Sequence, residues 1–409
     1  MPGPVCRDWT FAHASRVILF AMLPVAASRR ARGSLRWRVA LFVVACASVL
    51  LAHPAHTHLR AASLLARFSD PGATGLLADA GRAPVDETLF ALASPPGSPP
   101  ARARLYLPVG VANPPGLVLL HGVHRLGIAE PRLVKFAKTL AAAGVAVLTP
   151  ELRELADYHI DPASLETIGA AVHALRGRLE RSRPVGVMGM SFAGGLALVA
   201  AADPRFAPDV GFVVAVGAHH DLGRVLRFFA TSSIDRPDGT HEAMSAHDYG
   251  PLVVVYSYVE DFFPQDDVLE ARAALRSWLW EDRDAARAHA TNLSPPSRAK
   301  LEALFAHDVS AFAHELLAEI ERRHASLASV SPSAHLANVR CPVFLLHGAS
   351  DSVIPASETA WLARDVPRGL LRQALVSSAI EHVELHGEPT AGDRWALVHF
   401  MAGVLEQMR

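Results

Sequence analysis

Cysteine is scarce in this chain: three residues in 409, at Cys6, Cys46 and Cys341. Two fall within the first fifty positions, so the rest holds a single thiol, which excludes a disulfide framework and a cysteine-ligated zinc site there. Lysine is equally scarce, with only Lys135, Lys138 and Lys300, and the abundance of alanine and arginine is read as genome composition rather than function. Neither sign of charge dominates. Thirty-nine basic residues face 40 acidic ones, for a formal net charge of −1, which argues against nucleic-acid binding through bulk charge. What the chain does have is apolar mass. At 51% hydrophobic and 19% charged it is not disordered as a whole, and 409 residues suffice for a sizeable core in one large or two ordinary domains.

Residues 1–60 differ from the rest. A weak apolar run, Val17–Ala27, contains Pro24; a basic stretch follows (Arg29, Arg30, Arg32, Arg36, Arg38), then an uncharged run, Val39–Ala52 (VALFVVACASVLLA). As a helix that run rises only about 21 Å, against a hydrocarbon core of about 30 Å. A basic flank before a short apolar run fits a signal peptide or marginal anchor, with the basic residues cytoplasmic and the body exported or tethered outside. Cys46 sits in a lipoprotein-like context, although the apolar run continues past it, and Arg29-Arg30 is a weak twin-arginine pair. The alternative is a buried N-terminal helix on a cytoplasmic protein. His53–His58 reads as a polar linker.

Beyond residue 60 the pattern is that of an α/β protein. Thr88–Ala93 and Ala101–Leu107 flank the loop Pro95–Pro100 as an antiparallel hairpin at a sheet edge. Compact apolar strands then alternate with helical spacings. The strands are Gly116–Leu120, Val145–Leu148, Val185–Met188, Phe212–Val216, Val343–Leu346 and Arg372–Val376; the helices are Arg132–Ala143, Pro162–Leu179, Phe192–Ala202, Ser357–Arg364 and Arg394–Gln407. Strands apolar on both faces and separated by helices imply a doubly wound, mostly parallel sheet. The interval 222–334 breaks the alternation. Its helix-forming stretches Val268–Ala290 and Ser297–Leu327 read as a helical insertion between core strands six and seven, either surface decoration or, the favoured reading, a cap over a pocket at the strand ends. The core is thus expected in two parts, 61–221 and 335–409.

The most informative stretch is Pro184–Gly195, PVGVMGMSFAGG. A buried strand runs into Gly189-Met190-Ser191-Phe192-Ala193-Gly194 and an apolar helix follows. A serine on so tight a strand-to-helix turn holds a strained backbone, so small residues are needed two positions before and after it. The turn lifts the hydroxyl above the sheet and aims the first amides of the helix at a developing oxyanion.

This region resembles the α/β-hydrolase superfamily over roughly residues 85–409, and its turn resembles that of the dienelactone-hydrolase and prolyl-oligopeptidase-like branches. Ala193 stands where the motif has its second glycine. Serine in place of cysteine speaks against dienelactone hydrolysis itself; serine in place of aspartate speaks against dehalogenases and epoxide hydrolases. The resemblance implies an oxyanion hole from the backbone amides of Val123, after the strand LVLLHG (Leu117–Gly122), and of Phe192, with His121 bracing the loop. It also implies an acid in CPVFLLHGASDSVIP (Cys341–Pro355), at Asp351, rather than at Asp266 or Asp267 in the insertion. The base follows the last strand, in SSAIEHVELH (Ser377–His386), with His382 favoured over His386. Serine, aspartate and histidine then occur in the chain order of this fold.

The expected activity is therefore serine hydrolysis of carboxylic esters, on a small-molecule or lipid-like substrate, with neither cofactor nor metal. A peptidase, an acyltransferase and a non-catalytic binding protein on the same fold are the alternatives. The peptidase is weakened because fewer than about 90 residues precede the fold, too few for a propeller. Ala218-His219-His220-Asp221 lines the pocket or tethers the insertion; as adjacent residues they point apart and make a poor metal site. The aromatics Phe228, Phe229, Phe262, Phe263, Trp278 and Trp280 form either the insertion's own core or an acyl pocket.

Overall fold

The structure is a computed structural model that describes residues 42, 54–70, 72–79, 81–93, 99–179, 184–382, 384–385 and 389–408. The chain divides into two units, Met1–Pro54 and Ala55–Arg409. Apart from Phe42, the run Val39–Ala52 lies outside the described residues, as do Cys46 and the basic stretch before it. Among the described residues no helix is long and apolar enough to cross a membrane.

In the second unit eight strands form one sheet: β1 (Val85–Leu92), β2 (Ala101–Pro108), β3 (Gly116–Leu120), β4 (Ala146–Pro150), β5 (Val185–Met190), β6 (Val210–Val216), β7 (Val343–Gly348) and β8 (Leu371–Ser377). Their spatial order is β1-β2-β4-β3-β5-β6-β7-β8. The expected edge hairpin is present, with Val85 opposite Pro108 and Leu92 opposite Ala101, and β2 also runs antiparallel to β4. The remaining neighbours pair in parallel. β3, β4 and β7 are buried at every position, as a sheet covered on both faces requires.

Two hydrophobic clusters hold the layers together. One joins Ile168 and Leu175 of helix Ala163–Arg176 and Leu196 of helix Phe192–Ala202 to Val118, Leu148 and Val187 of the sheet. The other joins Phe136 of helix Pro131–Ala142, Phe400 and Leu405 of helix Ala391–Gln407, and Ala61 and Leu64 to Leu119, Met188 and Val214. Residues 55–69 are helical, so the boundary expected at residue 60 falls inside an element of the core, and the expected polar linker is helical from residue 54 onward. Its Thr57 is buried, and His58 stacks on Trp395 at 5.3 Å.

Between β6 and β7 the chain is mostly helical, but the long helices expected there are broken. Val268–Ala290 divides into Val268–Leu279 and Arg283–Ala290, with Glu281 at φ 66° between them. Ser297–Leu327 divides into Pro295–Phe305, Ala313–Arg322 and the short His324–Ser329, with His307 at φ 61°. A left-handed backbone residue ends a helix because the next carbonyls turn away from the axis. Phe228, Phe229, Phe262, Phe263 and Trp278 pack into the same cluster as the sheet, whereas Trp280 is exposed.

Candidate active site

β5 delivers Ser191 to the carboxyl end of the sheet. The residue has φ 57° and ψ −133°, unusual for a side chain beyond glycine, and its backbone is pinned on both sides. Ser191 N donates to Val216 O at 2.7 Å, and Gly194 N donates to Ser191 O at 2.8 Å. The small residues flanking the serine have a steric cause here. A Cβ at Gly189 would overlap the Ala193 carbonyl, and one at Gly195 would overlap the His219 ring. Phe192 opens the helix Phe192–Ala202, so its amide has no intrahelical acceptor.

The loop after β3 comes close to the serine: a Cβ at Gly122 would lie 3.4 Å from Ser191 Cβ. His121 fixes that loop. Leu152 N donates to its Nε2 at 2.9 Å, which leaves Nδ1 to donate to Gly122 O at 2.7 Å, and burial depresses its pKa. Both ring nitrogens are thereby committed to structure, the bracing role expected for it.

Asp351 follows β7 and is fully buried. Its Oδ1 accepts from the amides of Val353 and Ile354, each at 2.9 Å, and its Oδ2 accepts from His382 Nδ1 at 2.9 Å. Burial alone would favour the neutral acid. Hydrogen bonds from His347 and His382 overcome it and hold the carboxyl well below the usual range, so Asp351 is ionised. His347 Nε2 lies 3.3 Å from the same Oδ2 and 2.8 Å from Ile354 O, while its Nδ1 meets Thr359 Oγ1 at 2.6 Å. His347 thus helps to hold the loop that carries Asp351. Its signal in the sequence is the strand-end His-Gly that repeats the His121-Gly122 pattern. His382 is partly exposed at φ 51°, and His386 lies outside the described residues.

Ser191, Val123, Phe192 and His382 all line one cavity of about 340 Å³. Among the described residues Ser191 Oγ and His382 share it without a direct hydrogen bond, as is common before a substrate closes a site. The insertion contributes His247 and Tyr249, two wall residues that the sequence does not flag. The Tyr249 hydroxyl is buried without a hydrogen-bond partner among the described residues.

The other sequence candidates lie elsewhere. Asp267 accepts from Ser294 N at 3.0 Å, ahead of the helix Pro295–Phe305. Asp221 caps the helix Leu222–Thr231 through Arg224 N at 2.8 Å. Glu358 accepts from the amides of His220 and Asp221 and pairs with Arg224, which ties the start of the insertion to the helix Ser357–Asp365. Among the described residues no group of His, Cys, Asp and Glu is arranged to hold a metal.

Two histidines of this tether give the fold a pH dependence. His219 is fully buried, with its Nε2 3.0 Å from Val330 O, and burial pushes its pKa down to about 4. Burial and then the charge of Arg224 hold His220 at about 4 as well, although Asp365 Oδ2 lies 2.9 Å from its Nε2. An unfolded histidine titrates near 6.5, so between these values the unfolded chain binds more protons. The stabilisation is complete above about pH 6.5 and is lost as pH falls towards 4. At one pKa unit per 1.36 kcal/mol, His219 alone corresponds to about 3 kcal/mol. Urea unfolding is expected to show a stability loss of at least that order between pH 7 and 4.5, with a shallower slope in His219→Gln; equal stability at the two pH values would contradict the assignment.

Comparison with known proteins bears on this geometry. The model of the X-Pro dipeptidyl-peptidase (S15) family matches residues 168–384, which is 217 of 409 residues and spans Ser191, Asp351 and His382. The chain belongs to this family, within the α/β-hydrolase superfamily. A search of the curated proteins found no match. Among solved structures, a Mycobacterium tuberculosis puromycin-hydrolysing peptidase is similar at 18% identity, over 77% of this chain and 38% of that one, with a TM-score of 0.44. The acylaminoacyl peptidase of Pyrococcus horikoshii is similar at 12% identity, over 77% and 40%, with a TM-score of 0.43. An esterase of Pyrobaculum calidifontis is similar at 16% identity, over 80% and 86%, with a TM-score of 0.42. The chain therefore spans about two fifths of the length of either peptidase.

Proposed function

We propose that the protein is a serine hydrolase of carboxylic esters that works through an acyl-enzyme. The observation that carries this reading is the pairing of His382 Nδ1 with the ionised, buried Asp351 inside a site that also holds Ser191 on its strained turn. With Nδ1 committed to the carboxylate, Nε2 is the nitrogen free to accept the serine proton. Ser191 Oγ then bonds to the ester carbonyl carbon, whose oxygen takes the negative charge opposite the amides of Val123 and Phe192. The carbon–oxygen bond to the alcohol breaks, and the alcohol leaves with the proton from His382. Water, deprotonated by the same nitrogen, releases the acid and restores Ser191. The insertion acts as a cap in this account, on the support of His247 and Tyr249 in the cavity wall.

A second reading, cleavage of X-Pro peptides, draws on the family model. Such a substrate carries a charged α-amino group that calls for a carboxylate partner. Among the described residues of the cavity wall the carboxylate is Glu130, and it is already engaged. It caps the helix Pro131–Ala142 through Leu133 N at 2.8 Å and accepts from Arg132 at 2.7 Å. That occupation favours the ester. Assayed side by side, p-nitrophenyl acetate is expected to turn over and glycyl-prolyl p-nitroanilide is not; turnover of the anilide without the ester would replace the first reading by the second.

A further inference from the structure

The cavity that holds Ser191 does not stop at the strand ends. Met190 and Met188 both line it, two residues apart on β5 and therefore on the same face of the sheet. From the serine back to Met188 is about 10 Å along the strand, so the space reaches below the rim of the sheet. Leu65 and Phe68 from the helical residues 55–69, Phe136, and Leu397, Phe400 and Met401 from the last helix complete this part of the wall. These residues belong to, or pack directly against, the second hydrophobic cluster. Protein cores leave few voids larger than a water molecule. A gap within about 340 Å³ of open volume, lined by core residues and continuous with the candidate nucleophile, is a built feature rather than a packing fault.

We propose that this apolar extension is an acyl-chain site, and that the substrate is an ester of an unbranched medium- or long-chain carboxylic acid. The inference rests on the ester reading above. The chemistry of the wall selects the occupant. A peptide in this space would bury N–H and C=O groups against Leu, Phe and Met side chains, leaving them unpaired, whereas a hydrocarbon chain has nothing to satisfy. Apolar walls of this kind accept apolar ligands, and the thioethers of Met188, Met190 and Met401 adapt to a flexible chain. The two-step chemistry selects which half of the ester enters. The alcohol must collect a proton from His382 and leave before water arrives, so it belongs at the polar mouth. The acyl group stays on Ser191 through both steps and belongs against the apolar wall that runs from Met190 to Met188.

The test compares p-nitrophenyl acetate with p-nitrophenyl octanoate, below micellar concentration, on the full chain and on Leu65→Trp. Each buried methylene is worth about 0.8 kcal/mol, or roughly a fourfold gain in kcat/KM, so octanoate is expected to exceed acetate by more than tenfold. Leu65 is only partly buried and lines the cavity, so the larger indole of a tryptophan there is expected to take up space meant for the chain. Its octanoate-to-acetate ratio is expected to fall at least tenfold, a ratio that is insensitive to any inactive fraction. Acetate cleaved as well as octanoate by the parent would overturn the acyl site while leaving the ester reading intact. An unchanged ratio in Leu65→Trp would also overturn it. Failure to cleave either ester, with no fluorophosphonate labelling, would overturn the ester reading and this inference with it.

Discussion

Ser191→Ala is expected to lower ester hydrolysis by about a millionfold, the scale seen when a serine nucleophile is removed from a working triad. The reason is local. β5 and the helix Phe192–Ala202 force the residue at position 191 into φ 57° whatever its side chain, so alanine keeps the turn and loses only the hydroxyl. Unfolding midpoint and near-ultraviolet circular dichroism should therefore stay close to those of the parent while initial rates collapse. The residual rate would come from the amides of Val123 and Phe192 and from binding alone. A variant that hydrolyses esters as fast as the parent would remove Ser191 from the mechanism.

Asp351→Asn is the second large effect, a loss of about 10⁴ in kcat. The carboxylate does three things at once: it accepts from the amides of Val353 and Ile354, accepts from His382 Nδ1, and stays ionised while buried. An asparagine can keep either the two amide bonds or the histidine bond with its single oxygen. If the oxygen serves the loop, the amide nitrogen faces His382, which must then present an unprotonated Nδ1, and the proton moves to Nε2, where a base cannot use it. The fall is expected in kcat, with KM little changed, because Asp351 does not line the substrate cavity. The parent should keep the carboxylate charged through any ordinary assay range, since its pKa lies below the usual carboxylate values, so acid inactivation above pH 4 would not arise from Asp351. An Asp351→Asn enzyme of near-parent kcat would transfer the orienting role elsewhere.

How much of this the sequence reveals depends on how local the constraint is. The turn at Ser191 is legible because its steric demands fall on neighbours in sequence: Gly189 must leave room for the Ala193 carbonyl, and Gly195 for His219. The strands are legible because β3, β4 and β7 are apolar on both faces, and only their ends shift by about two residues, as is usual for frayed boundaries. The insertion is less legible. Val253–Val255 is a β-branched run, yet it forms part of a buried helix, Tyr249–Ser257, where tertiary packing outweighs the preference of valine for strands. Helix breaks at Glu281 and His307 use residues with no special turn chemistry, so nothing in the pattern announces them. Residues 55–69 illustrate a different limit. Ala61, Leu64, Leu65 and Phe68 recur at helical spacing, but they follow closely in sequence on the basic and apolar runs of residues 29–52 and are easily set aside with them. The cavity itself is illegible, because its wall combines the helix at 55–69, β5, the insertion and the last helix, and no single segment carries the pattern.

The central claim is that the oxygen at position 191 is the atom that becomes acylated. The most direct measurement is mass spectrometry of the digested protein after brief exposure to a fluorophosphonate or to a slowly deacylating ester. One adduct on the peptide containing Ser191, in step with the loss of hydrolysis, is the result this account predicts. An adduct confined to another residue, or full inactivation with Ser191 unmodified, would contradict it.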